Sequence, residues 1–403
     1  MVSPFHARVA AMLLGLLFLI FIHPVEAVAL VRVALALKAS EVQISSPSEV
    51  RLHTLSSTSS FWRVPLSVTS AAGGLQVNGM KVSSQKVIIR GDGQLLRFSV
   101  EGASSRKGGK GGMRNWVVKG DLEIQVRNSS LLVINRVKLE DYVAGVVASE
   151  INPNWHAEVL KTQAIAARTY VLHKQMMSRG QDFDVEAGIQ DQVYTGVARV
   201  NGSVREAVAE TLGLIITYEG RPIFAAYSST AAGPTEDAMN VWEMDLPYLK
   251  GVDCPFDEES PRYEWRIQIE FATVERKLRG EGFGVGTLAT VTPYTFTHAG
   301  RVKQVRVLHS KGELILSGQD FRRIMGYTTI PSTRFRVERI GREVVLSGKG
   351  AGHAVGLCQW GAKEMAELGY RYQSILQYYY PMTNLMNRYD VNMTPQAVQY
   401  LNP

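Results

Sequence analysis

Residues 137–177 read VKLEDYVAGVVASEINPNWHAEVLKTQAIAARTYVLHKQMM, and the change of period that begins at Val137 decides the fold. Leu139 to Glu150 carries small and apolar residues without alternation, which predicts a short helix, and Asn152-Pro153 ends it because proline lacks an N–H and clashes with the preceding turn. A second helix is predicted from Asn154, a good N-cap, to about Met177, with Leu160, Ala164, Ala167 and Val171 on one face. Its many alanines allow close packing.

Working outward to the N-terminal side, Val28 to about Ile134 is strand after strand. VRVALAL, EVRLHTL, FWRVPLSV, KVIIRG, LLRFSV, WVVKG, LEIQV and LLVIN are β-branched or aromatic runs of strand length separated by Gly, Ser and Asn. On the C-terminal side, LIITY, the turn Glu219-Gly220-Arg221-Pro222 and IFAAYSS read as a hairpin. Residues 265–345 mix strands with one short helix around Gln319 to Met325. A last helix spans Trp360 to Leu368, ahead of the aromatic run Tyr378-Tyr379-Tyr380, and the tail is polar. The fold class is therefore α+β, divided as 1–27 leader, 28–122 strand-rich region, 123–385 core and 386–403 tail.

The leader is read from Arg8, the apolar run Ala11 to Ile22 and the small residues up to Ala27, the plan of a secretory signal peptide cleaved after Ala27. The run is shorter than the roughly 20 residues of a membrane-spanning helix. Export to the cell envelope is the expectation, with membrane attachment only if the leader is retained. The 44 basic and 37 acidic residues give a mild cationic excess spread along the chain. The one clear cluster, Arg106 to Arg114, is a glycine-rich connection without interleaved aromatics, so nucleic acid is not an expected partner. Only Cys254 and Cys358 occur, and no Cys/His grouping has zinc-ligand spacing. Export would permit a disulfide, but sequence does not place the two thiols in range.

Glu150 is the most informative position. It sits at a helix C-terminus, where the backbone dipole is negative, beside apolar surface, and both effects raise a carboxyl pKa above its ordinary value of about 4.3. A carboxylic acid kept protonated near neutral pH suits the general acid of glycoside cleavage. A glutamate merely salt-bridging its helix is the competing reading, and residues alone do not displace it. Arg168, costly to bury alone, either pairs with a carboxylate near the helix junction or binds a substrate oxygen. Gln163 and Tyr170 share a helix face and offer hydrogen-bonding groups, although Tyr170 also fits a core. The loop Ser228 to Thr235 is not a GxSxG nucleophile elbow. The loop Gly348 to Ala362 has five glycines and lacks the P-loop Lys-Ser/Thr pair; His353, Gln359 and Trp360 are its sugar-binding candidates.

Together these segments resemble the stage II sporulation protein D / LytB family. The resemblance rests on residues 135–174, then DQVYTG, GRPIFAAYSSTAAGPTE, VWEMDLPYLKGV, GRVKQVRV, LSGQDFRRIMG, PSTRF, GAGHAVGLCQWGAKEMAELGY and ILQYYYP in family order, covering about 125–385. It implies a mixed core around a central substrate groove, with the strand-rich region packed on it. It also implies a lytic transglycosylase that cleaves peptidoglycan between N-acetylmuramic acid and N-acetylglucosamine, with Glu150 as acid and then base. The alternative within the family is a non-catalytic enhancer of a wall amidase, which would make that amidase a partner. Ser229, Gly233 and Thr235 match the Ser/Thr/Gly loop, whose usual His and one Gly are here Ser228 and Ala232. Some relatives bind zinc just before the stretch matching Gln192-Val193-Tyr194; Ala187 to Asp191 supply no such ligand here, so neither metal nor cofactor is expected.

Overall fold

The computed structural model describes residues 29–54, 59–103 and 112–391. The leader, most of the glycine-rich basic loop and the tail from 392 lie outside the described residues. Among those described, no helix is long and apolar enough to cross a membrane.

The N-terminal strands form two sheets. One has seven strands in the order Val185–Glu186, Leu30–Ala39, Ser130–Lys138, Asp121–Arg127, Lys86–Arg90, Glu49–Thr54 and Ser59–Arg63. The other has six, Gly112–Val118, Leu96–Ala103, Glu41–Ser46, Leu66–Ala71, Gly74–Val77 and Met80–Val82. All neighbours are antiparallel except Leu30–Ala39 against Val185–Glu186. Period-two burial of Val31, Val33, Val42, Ile44, Val87, Ile89, Leu122 and Ile124 feeds one core. The expected boundary at residue 122 falls inside the strand Asp121–Arg127, which is paired on both sides.

Ser130–Lys138 runs straight into the helix Leu139–Glu150, whose Leu139 and Tyr142 to Ala148 are buried. The second helix starts at Ala157, capped by His156, not at Asn154. The Asn152 side chain accepts the Asn154 N–H, and the Asn154 side-chain oxygen accepts from the distant Asn201 amide instead of capping a helix. This helix, Ala157–Met177, is buried almost all round, and Leu160, Ala164, Ala167 and Val171 are each fully inaccessible.

Residues 264–349 build a second core. Glu264–Glu270, Glu343–Lys349 and Phe335–Ile340 form one sheet; Leu288–Phe296, Val302–His309 and Gly312–Ser317 form another. Helices Phe271–Gly280 and Gly318–Met325 pack with them around Val274, Leu278, Val305, Phe321 and Val344. The chain then returns, and Leu357–Cys358 pairs in parallel with Tyr227–Ser228. That pairing brings two loops 130 residues apart against the first two helices. Helices Gln359–Glu367 and Tyr372–Tyr379 close over Ala157–Met177.

Several elements depart from the sequence reading. The hairpin's second arm is only Arg221–Pro222, because Tyr227–Ser228 pairs elsewhere. The helices Gly202–Glu210, Phe271–Gly280 and Tyr372–Tyr379 were hidden by polar or aromatic composition. The polar stretch from Asn384 begins as an ordered strand: Asn384–Asn387 pairs with Leu214–Thr217.

Candidate active site

Glu150 is the last residue of its helix and lines a cavity of about 800 Å³. No basic residue occupies the last turn of that helix, and no ion pair to Glu150 exists among the described residues. Its Oε1 instead accepts two neutral donors, the Val193 backbone N–H at 2.6 Å and the Tyr227 hydroxyl at 3.2 Å. The Gln359 amide also reaches the carboxylate. Burial pushes its pKa up to about 7 from an ordinary 4.5, and these donors only partly offset it. Of the two causes expected from sequence, the helix dipole and the apolar setting, burial is the main one.

The orientation of Tyr227 is set from behind. Tyr142 Oη donates to Gln192 Oε1 at 3.0 Å, and Gln192 Nε2 donates to Tyr227 Oη at 2.9 Å. Tyr227 Oη already accepts from Gln192, so its single proton points at Glu150. Both Tyr142 and Gln192 are fully buried, which makes the relay a fixed part of the core. The segment Asp191 to Gly196 is clipped to the helix and to the strand before it by three further contacts. Thr195 N–H donates to Ser149 Oγ, Tyr194 Oη donates to Asn135 Oδ1, and the Tyr194 ring lies against Gly145. A Cβ at Gly145 would stand 2.5 Å from that ring, so only glycine admits it.

The cavity wall is aromatic. Tyr170, Phe224, Trp242 and His353 follow one another with ring centroids 5.5, 5.1 and 4.8 Å apart. Burial, and then the Arg322 guanidinium, pull the His353 pKa down to about 3, so the ring is neutral. Its Nδ1 accepts the Val355 N–H at 3.0 Å, and the ring donates to the Tyr227 backbone. A second carboxylate, Asp191, also lines the cavity, but it is engaged by Lys174 Nζ at 2.9 Å, Tyr170 Oη at 2.9 Å and the Glu186 N–H at 2.8 Å.

Of the residues singled out from sequence, the fold brings Glu150, Tyr170, Ser229, His353 and Gln359 to the cavity. Four others do not line it. Arg168 is fully buried and holds Glu140 through both Nε and Nη2, with Leu214 O completing the site; of its two sequence readings, structural pairing is the one realised. Gln163 sits behind Gln359, accepting its amide at 3.3 Å. Thr235 exchanges hydrogen bonds with the Val252 backbone. Trp360 packs edge-on against Trp155 at 5.0 Å. The sequence reading passed over Tyr227, Gln192, Asp191 and Trp242, although all lie in motif blocks quoted for the resemblance. Their roles depend on contacts between segments that local pattern does not encode.

Comparison with known proteins places the chain among relatives. A family described as "Stage II sporulation protein" matches residues 127–218, and a domain of unknown function (DUF8618) matches 237–356. An uncharacterised protein of Brachyspira hyodysenteriae is 31% identical over 274 residues, covering 68% of this chain and 73% of that one. The amidase enhancer of Bacillus subtilis is 29% identical over 289 residues, covering 60% of this chain and 40% of its own length. The stage II sporulation protein D of Bacillus subtilis is 32% identical over 279 residues, covering 66% of this chain and 79% of that protein. With the family match running through the helix of Glu150 and the segment Asp191 to Gly196 beside it, and with relatives about a third identical over most of their length, the chain belongs to the stage II sporulation protein D family.

Proposed function

We propose that this protein is a peptidoglycan lytic transglycosylase of the cell envelope and that the cavity is its glycan groove. The observation that carries the reading is the state of Glu150: a carboxyl without a cationic partner, half-buried at a cavity, with a pKa about 7. A group of that kind is protonated often enough near neutral pH to act as an acid and basic enough afterwards to act as a base.

In the proposed reaction Glu150 gives its proton to the glycosidic oxygen as the C1–O bond of N-acetylmuramic acid breaks. The N-acetylglucosamine hydroxyl leaves. The resulting carboxylate, held by the Val193 N–H and Tyr227 O–H, takes the proton of the muramic 6-hydroxyl as O6 bonds to C1. The product is a 1,6-anhydro end, and Glu150 is protonated again. Water does not attack, so no second carboxylate is required, unlike the paired carboxylates of most glycosidases. Asp191, already bonded to Lys174 and Tyr170, fits a structural part. The aromatic wall Tyr170–Phe224–Trp242–His353 offers faces on which sugar rings stack.

The similarity to an amidase enhancer supports a second reading, a wall-binding protein that raises the activity of a partner amidase. Mass analysis of glycan fragments separates the two. Wild-type protein should release anhydro-ended fragments from intact or peptide-free glycan strands, and Glu150→Gln should release none. Silence of the wild type on both substrates, together with a rise in a partner amidase's rate, would favour the enhancer. Export and removal of residues 1–27 belong to the same proposal, and the mature N-terminus of protein recovered from the envelope tests them.

A further inference from the structure

The geometry points to a structural metal site, for a soft divalent cation of the zinc class, formed by Cys254, Asp257 and Cys358. The three come from two separate segments, and the fold gathers them with the two Sγ atoms and a carboxylate oxygen all within 4.8 Å of one another. They are 2%, 1% and 1% exposed. Tetrahedral zinc, with bonds of about 2.3 Å to sulfur and 2.0 Å to oxygen, sets its ligand atoms roughly 3.5–3.8 Å apart, so a modest contraction would close the site. It lies away from the stretch before Gln192 and does not depend on the proposed glycan chemistry.

Three observations say that the cluster is more than packing. Asp257 Oδ1 is buried with no hydrogen-bond partner, while Oδ2 accepts the Ala232 N–H at 2.8 Å and the Cys358 thiol at 3.1 Å. A buried carboxylate with an idle oxygen is costly, and a cation would use it. The Ala231 N–H is aimed at Cys358 Sγ at 3.3 Å, a donor suited to a thiolate. The seat of Cys254 also requires a glycine beside it: a Cβ at Gly361 would clash with Tyr379 Oη and lie 2.8 Å from Cys254 Sγ.

Charge favours the ion over a disulfide. Loading forms two sulfur–metal bonds and one oxygen–metal bond and releases the two thiol protons to solvent. A divalent cation enters and two protons leave, so the net buried charge does not change and Arg301, buried nearby, stays its counter-charge. A disulfide would take away the thiol proton that Asp257 now accepts and leave its carboxylate more poorly satisfied. The ion would tie residues 254–257 to Cys358, the residue immediately before Gln359. It would thereby brace the loop that reaches Glu150. Ligands this buried load as the chain folds.

The test uses the full chain, expressed with zinc in the medium, passed through metal-free buffer and measured by elemental mass spectrometry. One zinc per chain is expected, falling at least tenfold in Cys254→Ser/Cys358→Ser and unchanged in Glu364→Gln/Glu367→Gln, which alters a separate exposed acidic group. Where the cysteine variant fails to fold, wild type refolded with cobalt(II) decides: a near-ultraviolet thiolate-to-cobalt band supports the site. Absence of that band, zinc retained without the cysteines, or an intact mass two hydrogens light from a disulfide would each overturn it.

Discussion

The helix Leu139–Glu150 carries a functional glutamate candidate at one end and a structural glutamate at the other. Glu140, in the first turn, is gripped by the fully buried Arg168 through two guanidinium nitrogens. Glu150, in the last turn, meets only neutral donors and a cavity. The residue type and the helix are the same, yet the electrostatics are opposite. The Arg168 guanidinium compensates the charge of Glu140 at 2.6 Å. A carboxylate that is half-buried without a cation is pushed toward the protonated form. What distinguishes a chemical glutamate from a structural one here is its partner.

The largest expected effect tests that contrast directly. Glu150→Gln should abolish anhydro-product release, a loss of at least about a thousandfold in rate, whereas Glu140→Gln should leave measurable turnover in whatever fraction is folded. Equal losses in both variants at equal folded fraction would break the comparison. Second comes stability. Arg168→Met should lower unfolding free energy by about 3 kcal/mol in denaturant titrations, the low end for breaking a buried ion pair because Glu140 is 30% exposed.

Third, Glu150→Gln should behave in the opposite sense. The Glu150 pKa is raised in the folded state, so ionisation opposes folding: the penalty is absent below about pH 4.5, grows as pH rises and is complete above about 7. The glutamine variant should therefore be more stable than wild type at pH 8, on the order of 2 kcal/mol after allowing for solvent on the open side of the carboxylate. The difference should vanish near pH 4, as read by melting curves at the two pH values. The same pKa requires wild-type activity to fall as pH rises above about 7.

The smallest effect sharpens the role of the relay. Tyr227→Phe removes a donor that stabilises ionised Glu150, so the Glu150 pKa should rise. The alkaline limb of the activity profile should move up by roughly one unit. A profile that stays in place would mean that Tyr227 supports the fold without tuning the acid.

Much of this was legible in the chain itself. The change of period at Val137, the glycines and the Asn-Pro stop gave the strand-rich half, the two helices and the α+β class. Glu150 stood out because a charged residue closed an otherwise apolar helix. Local pattern failed where a residue's partner lies far along the chain. Asn154 looks like a helix cap, but Asn152 and Asn201 claim it. Arg168 leaves pairing and substrate binding both open until Glu140, 28 residues earlier, is seen against it. Trp360 looks like a sugar platform, yet it packs against Trp155 and does not line the cavity.

By itself, then, the sequence determined the strand-rich region, the first two helices, the family resemblance and Glu150 as the candidate carboxyl. Those properties follow from side-chain periodicity and backbone preference over a few residues. Only the tertiary structure decided that Glu150 has no cationic partner among the described residues, that Tyr227 is aimed at it through Gln192, and that Cys254 and Cys358 meet beside Asp257. Each of these is a matter of desolvation and of contacts between segments far apart in the chain. Burial and pairing are set by packing, and no local stretch of chain contains them.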